Sequence, residues 1–408
     1  MKRIFLLVLS LIILFISEPI AVNASDEKAV FVRKDGLWLK DGEVERKIVE
    51  GGKVFYPKFS SDGIYVSYLS GDSKELWIYN RVTRLKRRVF AGDAYMPRWA
   101  PVGQKLAWKS GSVLNVINLS EPTEPFENVA LGVGNYSWTS DGKGFIISSS
   151  AHLEPDGWSA VQIFTVPADA KGDQTKIKRI TTLPKRSDTF FAIGTTEFKW
   201  SARSRQYAFI ACPTASMSAD SNTLMTVTKY GSETKMAGNM LSDPNWFHWS
   251  PKDEKLAFIK GIGRLTSENK KLTYWQADSG KEVDLGIEGF ADGDFTWRSD
   301  KAIIVSRQIE WGWNVPEEKR PHPFLAIVNV KDGSAKKITK PEKGVADVYP
   351  KTMPGGEIVW IRTGGSMKKT KVMKKKNADS KEEVWIDHLK EASDCYGWQC
   401  VLDVYKAR

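Results

Sequence analysis

From Ala29 onward the chain reads as short apolar stretches, many β-branched or aromatic, broken at close intervals by Ser, Pro, Asp and Gly. Alternation at period two marks a strand with one buried face, and a short apolar run between turn residues marks a buried strand. Long stretches with the i, i+3, i+4 spacing of an amphipathic helix are absent. The expected class is all-β.

One pattern recurs seven times: an aromatic-rich strand end, a Ser/Pro/Asp/Gly turn, then a short apolar strand. The copies are YPKFSSDGIYVSYL, MPRWAPVGQKLAWK, NYSWTSDGKGFIIS, EFKWSARSRQYAFI, WFHWSPKDEKLAFI, DFTWRSDKAIIVS and VYPKTMPGGEIVWI. Their anchors are Phe59, Trp99, Trp138, Trp200, Trp249, Trp297 and Thr352, lying 40, 39, 62, 49, 48 and 55 residues apart. Each copy predicts a hairpin. A large aromatic at the anchor covers much apolar area in the wedge between neighbouring units. The turn residues, such as Asp62-Gly63 and Asp141-Gly142, tolerate the positive φ that tight hairpins need. Two further strands usually follow, as in ELWIYN and KRRVF after the first copy. Four strands per unit at a spacing of roughly 40–50 residues predict the blades of a single β-propeller.

The repeat resembles that of the TolB-type β-propeller, with its Trp-Ser-Pro-Asp-Gly core and a following Lys-Ile-Ala-Phe-like strand. WFHWSPKDEKLAFI matches best and NYSWTSDGKGFII is close, while Ala202-Arg203 and Met353-Pro354 depart from the core. The resemblance runs from about Ala29 to the C-terminus. It implies the fold and is nearly silent on function, since this repeat serves in scaffolds, beside peptidase domains and in carbohydrate-active enzymes. An open ring would expose sheet edges. Before the first copy AVFVRKDG, LWLKDG and ERKIVEG predict three strands, and QCVLDVYK is left over at the end. Joining them predicts an eighth, composite blade, with a seven-bladed ring as the alternative.

The N-terminus carries a different pattern. Lys2 and Arg3 precede an apolar run from Ile4 to Ile16, then Ser17, Glu18 and Pro19, then Val22-Asn23-Ala24. This order predicts a secretory signal peptide over residues 1–24, cleaved after Ala24, because the run is shorter than the roughly 20 residues a span requires. Residues 25–408 are then the propeller, placed outside the cytoplasm in periplasm or cell wall. The formal charge of +11 falls to +10 once Lys2, Arg3 and Glu18 are removed. Such an excess favours anionic neighbours, and for an exported chain these are envelope polymers or surfaces rather than nucleic acid. Cys395 and Cys400 flank a Tyr-Gly-Trp-Gln loop and are expected to pair in an oxidising compartment. Cys212, within YAFIAC, reads as a buried small hydrophobe.

Four consecutive units carry long insertions between their second and third strands: 148–160, 212–223, 260–271 and 307–323. Long loops on a rigid scaffold are the usual seat of binding residues. Trp311 and Trp313 lie outside the repeat, near Glu310, Asn314, Arg320 and His322, and Trp158 lies near His152, Glu154 and Asp156. Indole faces beside carboxylates and amides suit sugar rings, the aromatic covering the apolar face while polar groups take the hydroxyls; the alternative is that the same tryptophans pin the loops to the ring. Arg84, Lys86, Arg87 and Arg88 of the first unit and Lys368, Lys369, Lys374 and Lys375 of the seventh could together form one positive flank facing an anionic polymer; as edge-strand charges they could equally serve to block strand pairing between molecules. The chain shows no GxSxG, HExxH, P-loop or zinc-spaced Cys/His cluster. The expectation is therefore a non-enzymatic binding or scaffold protein, without cofactor or metal, engaging a protein partner or an anionic envelope polymer through the extended loop face. The rival is a lyase-like propeller acting on acidic glycans, which would bring histidines to a central metal. His152, His248, His322 and His388 are the four available.

Overall fold

A computed structural model describes residues 27–34, 36–121, 125–214, 222–364, 370–392 and 397–405. The predicted signal segment with its cleavage site at Ala24, and Lys368, Lys369 and Cys395, lie outside the described residues. The predicted strands are present as successive antiparallel sheets arranged as eight blades. Each regular copy gives four consecutive strands, as in the first blade: Val54–Phe59, Tyr65–Ser70, Glu75–Asn80 and Lys86–Phe90. The innermost strand of each of the seven repeat blades is the one that carries the anchor, and in the fourth blade it is broken into Gly194–Thr195 and Lys199–Ser201. The eighth blade is composite. Leu402–Val404 pairs antiparallel with Lys28–Arg33, Ala29 facing Val404 and Phe31 facing Leu402. The ring has eight blades, as the leftover terminal strand predicts.

Apolar clusters sit between successive blades, as where Leu76 and Ile78 of the first blade meet Leu106 and Trp108 of the second. The anchors do more than fill these wedges. Trp138 Nε1 donates to the carbonyl of Arg98 (2.9 Å), Trp249 Nε1 to that of Lys199 (2.9 Å) and Trp297 Nε1 to that of His248 (3.0 Å). Trp99 Nε1 donates to the carbonyl of Lys58 (3.1 Å), and Thr352, which replaces the indole in the seventh copy, sends its hydroxyl to the carbonyl of Trp297 (3.2 Å). Each bond ties an inner strand to the inner strand of the blade before it. Indole supplies a large apolar face and one donor in a single rigid group, which fits it to this double task.

Closure uses the same logic with other atoms. Asp403 accepts from the Phe59 amide (3.0 Å) and from Lys58 Nζ (3.0 Å), bridging the composite blade to the first. Tyr405 packs edge-on against Phe59, with centroids 5.3 Å apart. Gly63 turns the first hairpin at φ +69°, and a Cβ there would fall 2.9 Å from the Tyr405 ring. The turn therefore needs glycine for its backbone and for the room it leaves. Among the described residues no helix is long and apolar enough to cross a membrane.

Candidate functional site at the channel mouth

Strands in a blade alternate in direction, so the turns between second and third strands share one end of the ring with the start of every inner strand. That end carries the insertions at 148–160, 260–271 and 307–323; residues 215–221 of the 212–223 insertion lie outside the described residues. The residue before each anchor is polar in all seven copies: Lys58, Arg98, Ser137, Lys199, His248, Thr296 and Lys351. Contacts across the ring identify the channel. Arg98 of the second blade comes within 3.6 Å of Glu197 of the fourth, and Lys199 lies 3.8 Å from the same carboxylate. Burial works against ionisation of Glu197, but Lys199, Arg98 and Lys58 outweigh it and hold its pKa below the ordinary value. Lys199 is itself depressed by burial, partly offset by Glu197 and Asp243; its ammonium donates to the carbonyls of Pro244 and of Phe247 (2.9 Å).

Toward the mouth the balance changes. A cavity of about 270 Å³ opens there, lined by Asp243, Asn245, Trp246, Asp294, Tyr349 and Trp398 among others. Its walls come from the starts of the fifth, sixth and seventh inner strands. Tyr349 sits at φ +53° in a bulge of the seventh inner strand, where the register shifts between Val348 and Lys351. The bulge turns the Tyr349 amide toward Asp294, which accepts it at 3.2 Å and accepts Trp246 Nε1 at 3.1 Å. Asp243 accepts from the Asn245 amide (2.7 Å) and side chain (3.2 Å). Burial raises both carboxyls. Asp294 is pushed up to about 6, first by burial and then by the charge of Asp243, with Lys351 opposing; Asp243 is raised by burial against the pull of Asn245, Lys199 and Lys351. Two neighbouring carboxyls of raised pKa thus share a cavity with Trp246, Tyr349 and Trp398, with Lys199 and Lys351 acting on them in the other direction.

The C-terminal segment completes the site. The short 3-10 turn Trp398–Cys400 lies over the mouth, Trp398 lining the cavity while Asn245 Nδ2 donates to Gln399 Oε1 at 3.2 Å. Cys400 is disulfide-bonded and Cys212 is a free thiol. Gln308 and Pro323 join the cavity wall to the sixth-blade insertion, and Thr266 joins it to the fifth. A second groove of about 460 Å³ runs outside the channel past Met236, Gly238, Lys260 and Glu282, but there Lys260 and Glu282 pair with each other.

The residues singled out from the sequence divide by role. Glu310 accepts from the Asn269 amide (3.0 Å) and from Lys271 (3.2 Å), fastening the sixth insertion to the fifth. The Trp311 amide donates to Ser267 O (3.1 Å), and Arg320 stacks on the Trp311 ring at 4.7 Å while donating to Val315 O (3.0 Å). These three side chains hold the loop. Trp313 is 74% exposed, and Asn314 and His322 are also exposed. Trp158 stands three blades away, on a small hairpin of Leu153–Glu154 and Gly157–Trp158, its ring 6.3 Å from Phe191. His152 on that hairpin pairs with Glu154 (3.0 Å) and Ser159 (3.0 Å). His248 lies in the channel wall and His388 on the outer strand of the seventh blade, so the four histidines do not gather. Among the described residues no group of three His, Cys, Asp or Glu side chains could hold a metal.

The basic residues divide likewise. Arg84, Lys86, Arg87 and Arg88 are exposed along the outer edge of the first blade, Arg88 reaching Glu75 at 3.1 Å. Lys374 is taken up by Glu27 (2.9 Å) and Glu383 (3.1 Å). Lys375 points inward and donates to the carbonyls of Ile338 (2.7 Å) and Ala378 (3.0 Å). Lys374 and Lys375 thus face their neighbours rather than a shared flank.

By sequence, no family model and no curated relative matches the chain. By structure it resembles known propellers. Dihydro-heme d1 dehydrogenase NirN in complex with DHE superposes with a TM-score of 0.60 at 11% identity, over 89% of this chain and 73% of that one. Porphyromonas gingivalis dipeptidyl peptidase 4 gives 0.57 at 9% identity, over 90% and 58%. TolB from Acinetobacter baumannii gives 0.37 at 12%, over 78% and 64%. The shared property is the propeller fold. The chain spans less than two thirds of the length of the peptidase and of TolB. These likenesses correct the expectation, drawn from missing motifs, that the chain is not an enzyme. The same fold occurs in a dehydrogenase and a peptidase, so a motif search along the chain does not decide whether it catalyses a reaction.

Proposed function

We propose that this is an exported propeller that binds a protein partner through the face bearing its extended loops, and that the partner places a positively charged group, an amino terminus or a lysine, in the channel-mouth cavity. The observation that carries this reading is the pair Asp243 and Asp294 in a cavity walled by Trp246, Tyr349 and Trp398. An ammonium there gains two carboxylates in a medium of low dielectric. The same carboxylates repel a polyanion, which favours a protein partner over an anionic polymer at this face. Exposed Trp313, Asn314 and His322 extend the contact surface outward.

Calorimetric titration with short peptides carrying free or acetylated amino termini tests the reading. Free peptides are expected to bind at least tenfold more tightly, and Asp294→Asn is expected to remove the difference. Equal affinity for both peptide forms would overturn the charge argument.

A further inference from the structure

We infer that the end of the ring opposite the extended loops is a docking surface for an anionic lipid bilayer, with the turn at 81–88 as its insertion point. The observation is independent of the cavity. The turn joins the third strand of the first blade to the outer strand Lys86–Phe90, so it projects from the face away from the insertions. Val82 is 76% exposed and Leu85 is 70% exposed at its tip. Arg84, Lys86 and Arg87 are exposed around them.

The tip is built rather than loose. Asn80 Oδ1 accepts the amides of Val82 (2.9 Å) and Thr83 (3.0 Å), the Arg84 amide returns to Asn80 O (2.8 Å), and Arg84 takes φ +62°. This closed turn holds two aliphatic side chains outward where folding alone gives them nothing to cover. Arg81 anchors its base through Asp41 of the composite blade (2.7 Å) and the Gly63 carbonyl (2.5 Å). Val44 on the composite blade and Val102 on the second blade, both at the same end of the ring, are also exposed, at 65% and 55%. The opposing charges at this end include Glu43 beside Val44, Asp62, Glu121 and Asp141, all exposed.

The pairing of residue types selects the partner. Guanidinium and ammonium groups alone would suit any polyanion. Aliphatic tips gain from transfer only where acyl chains lie beneath the charged surface, as at a bilayer interface. A phosphate- or carboxylate-bearing glycan offers Val82 and Leu85 nothing to enter. Each cation near an anionic leaflet strengthens partitioning about fivefold, and two shallow aliphatic side chains add to this. Docked so, the ring would face its extended loops away from the lipid.

The experiment is co-sedimentation of the chain from Ser25, which holds the whole ring, with vesicles of mixed phosphatidylglycerol and phosphatidylcholine. Phosphatidylcholine vesicles and soluble polyphosphate serve as controls. Binding is expected to the anionic vesicles, weakened at high salt, and negligible to phosphatidylcholine alone. Arg84→Glu with Arg87→Glu should abolish it. Val82→Ser with Leu85→Ser should weaken vesicle binding about tenfold yet leave polyphosphate binding unchanged; all four positions are exposed, and unchanged melting will confirm folding. No binding to anionic vesicles at low salt would overturn the inference. So would a serine pair that sediments like the parent, since the turn would then be a general anion patch.

Discussion

Trp138 offers the sharpest test of how the blades are held together. Its ring is 8% exposed, lies 4.1 Å from Phe145 by centroid, and gives its one donor to the carbonyl of Arg98 in the preceding blade. Two losses can be separated. Trp138→Phe keeps most of the apolar face and removes the donor, so it should cost about 1 kcal/mol, the net worth of a typical hydrogen bond. Trp138→Ala also empties the wedge and loses the contact with Phe145. Truncating a buried tryptophan costs about 3–5 kcal/mol, and the aromatic pair contributes about 0.5–1.5 kcal/mol beyond its area. The assay is urea unfolding of both variants, followed by far-UV circular dichroism. A phenylalanine variant as unstable as the alanine variant would show that the bond, not the ring, joins the blades. An alanine variant within about 1 kcal/mol of the parent would refute the anchor's role in the wedge altogether.

Asp403→Ala should destabilise the ring by about 2–3 kcal/mol, since it removes charge-assisted bonds to the Phe59 amide and Lys58; an unchanged urea midpoint would mean closure rests on backbone pairing alone. Asp294 titrates near 6 in the fold against 3.8 ordinarily, so the folded state holds its proton more tightly than the unfolded chain. The stability this proton contributes is complete below about pH 4 and lost as pH rises through about 6. Melting temperature should therefore fall more steeply across that window in the parent than in Asp294→Asn, and identical slopes would contradict the assigned shift. Trp313→Ala should leave the melting temperature unchanged while weakening peptide binding. Trp311→Ala should instead cost about 1 kcal/mol through the lost Arg320 contact, and equal effects on melting would show that the two indoles are not divided as described.

The repeat was legible because blade geometry places an aromatic at six of the seven anchors and follows it with a turn. The composite blade followed from counting strands left over at the two ends. The channel was harder to read. Lys58, Arg98, Lys199 and Lys351 look along the chain like ordinary solvated lysines and arginines, and only the ring brings them to one axis. A signal was nonetheless present, since the position before the anchor is polar in every copy, which a buried sheet would not otherwise require. Tyr-Pro-Lys, Met-Pro-Arg and Tyr-Pro-Lys recur before Phe59, Trp99 and Thr352, and in all three the residue before proline takes a positive φ. Asp243 and Asp294 were invisible because their pairing spans two blades. Trp398, like Trp311 and Trp313, is an indole outside the repeat, but its place between Cys395 and Cys400 reads along the chain as part of a cysteine loop.

The closing strand has a kinetic consequence. Hairpins within a blade join residues close in sequence, whereas Asp403 meets Phe59 across 344 positions. Drawing the ends of such a segment together costs about 3 kcal/mol more than closing a ten-residue loop, and nothing rewards that cost until the terminal strand has paired. Ring closure should accordingly come last in folding and open first under stress. Gly397 and Trp398 of the cavity wall travel on that same terminal segment, so the cavity is complete only while the ring is shut. A molecule occupying it would act as a latch, slowing the escape of the last strand in proportion to its own affinity.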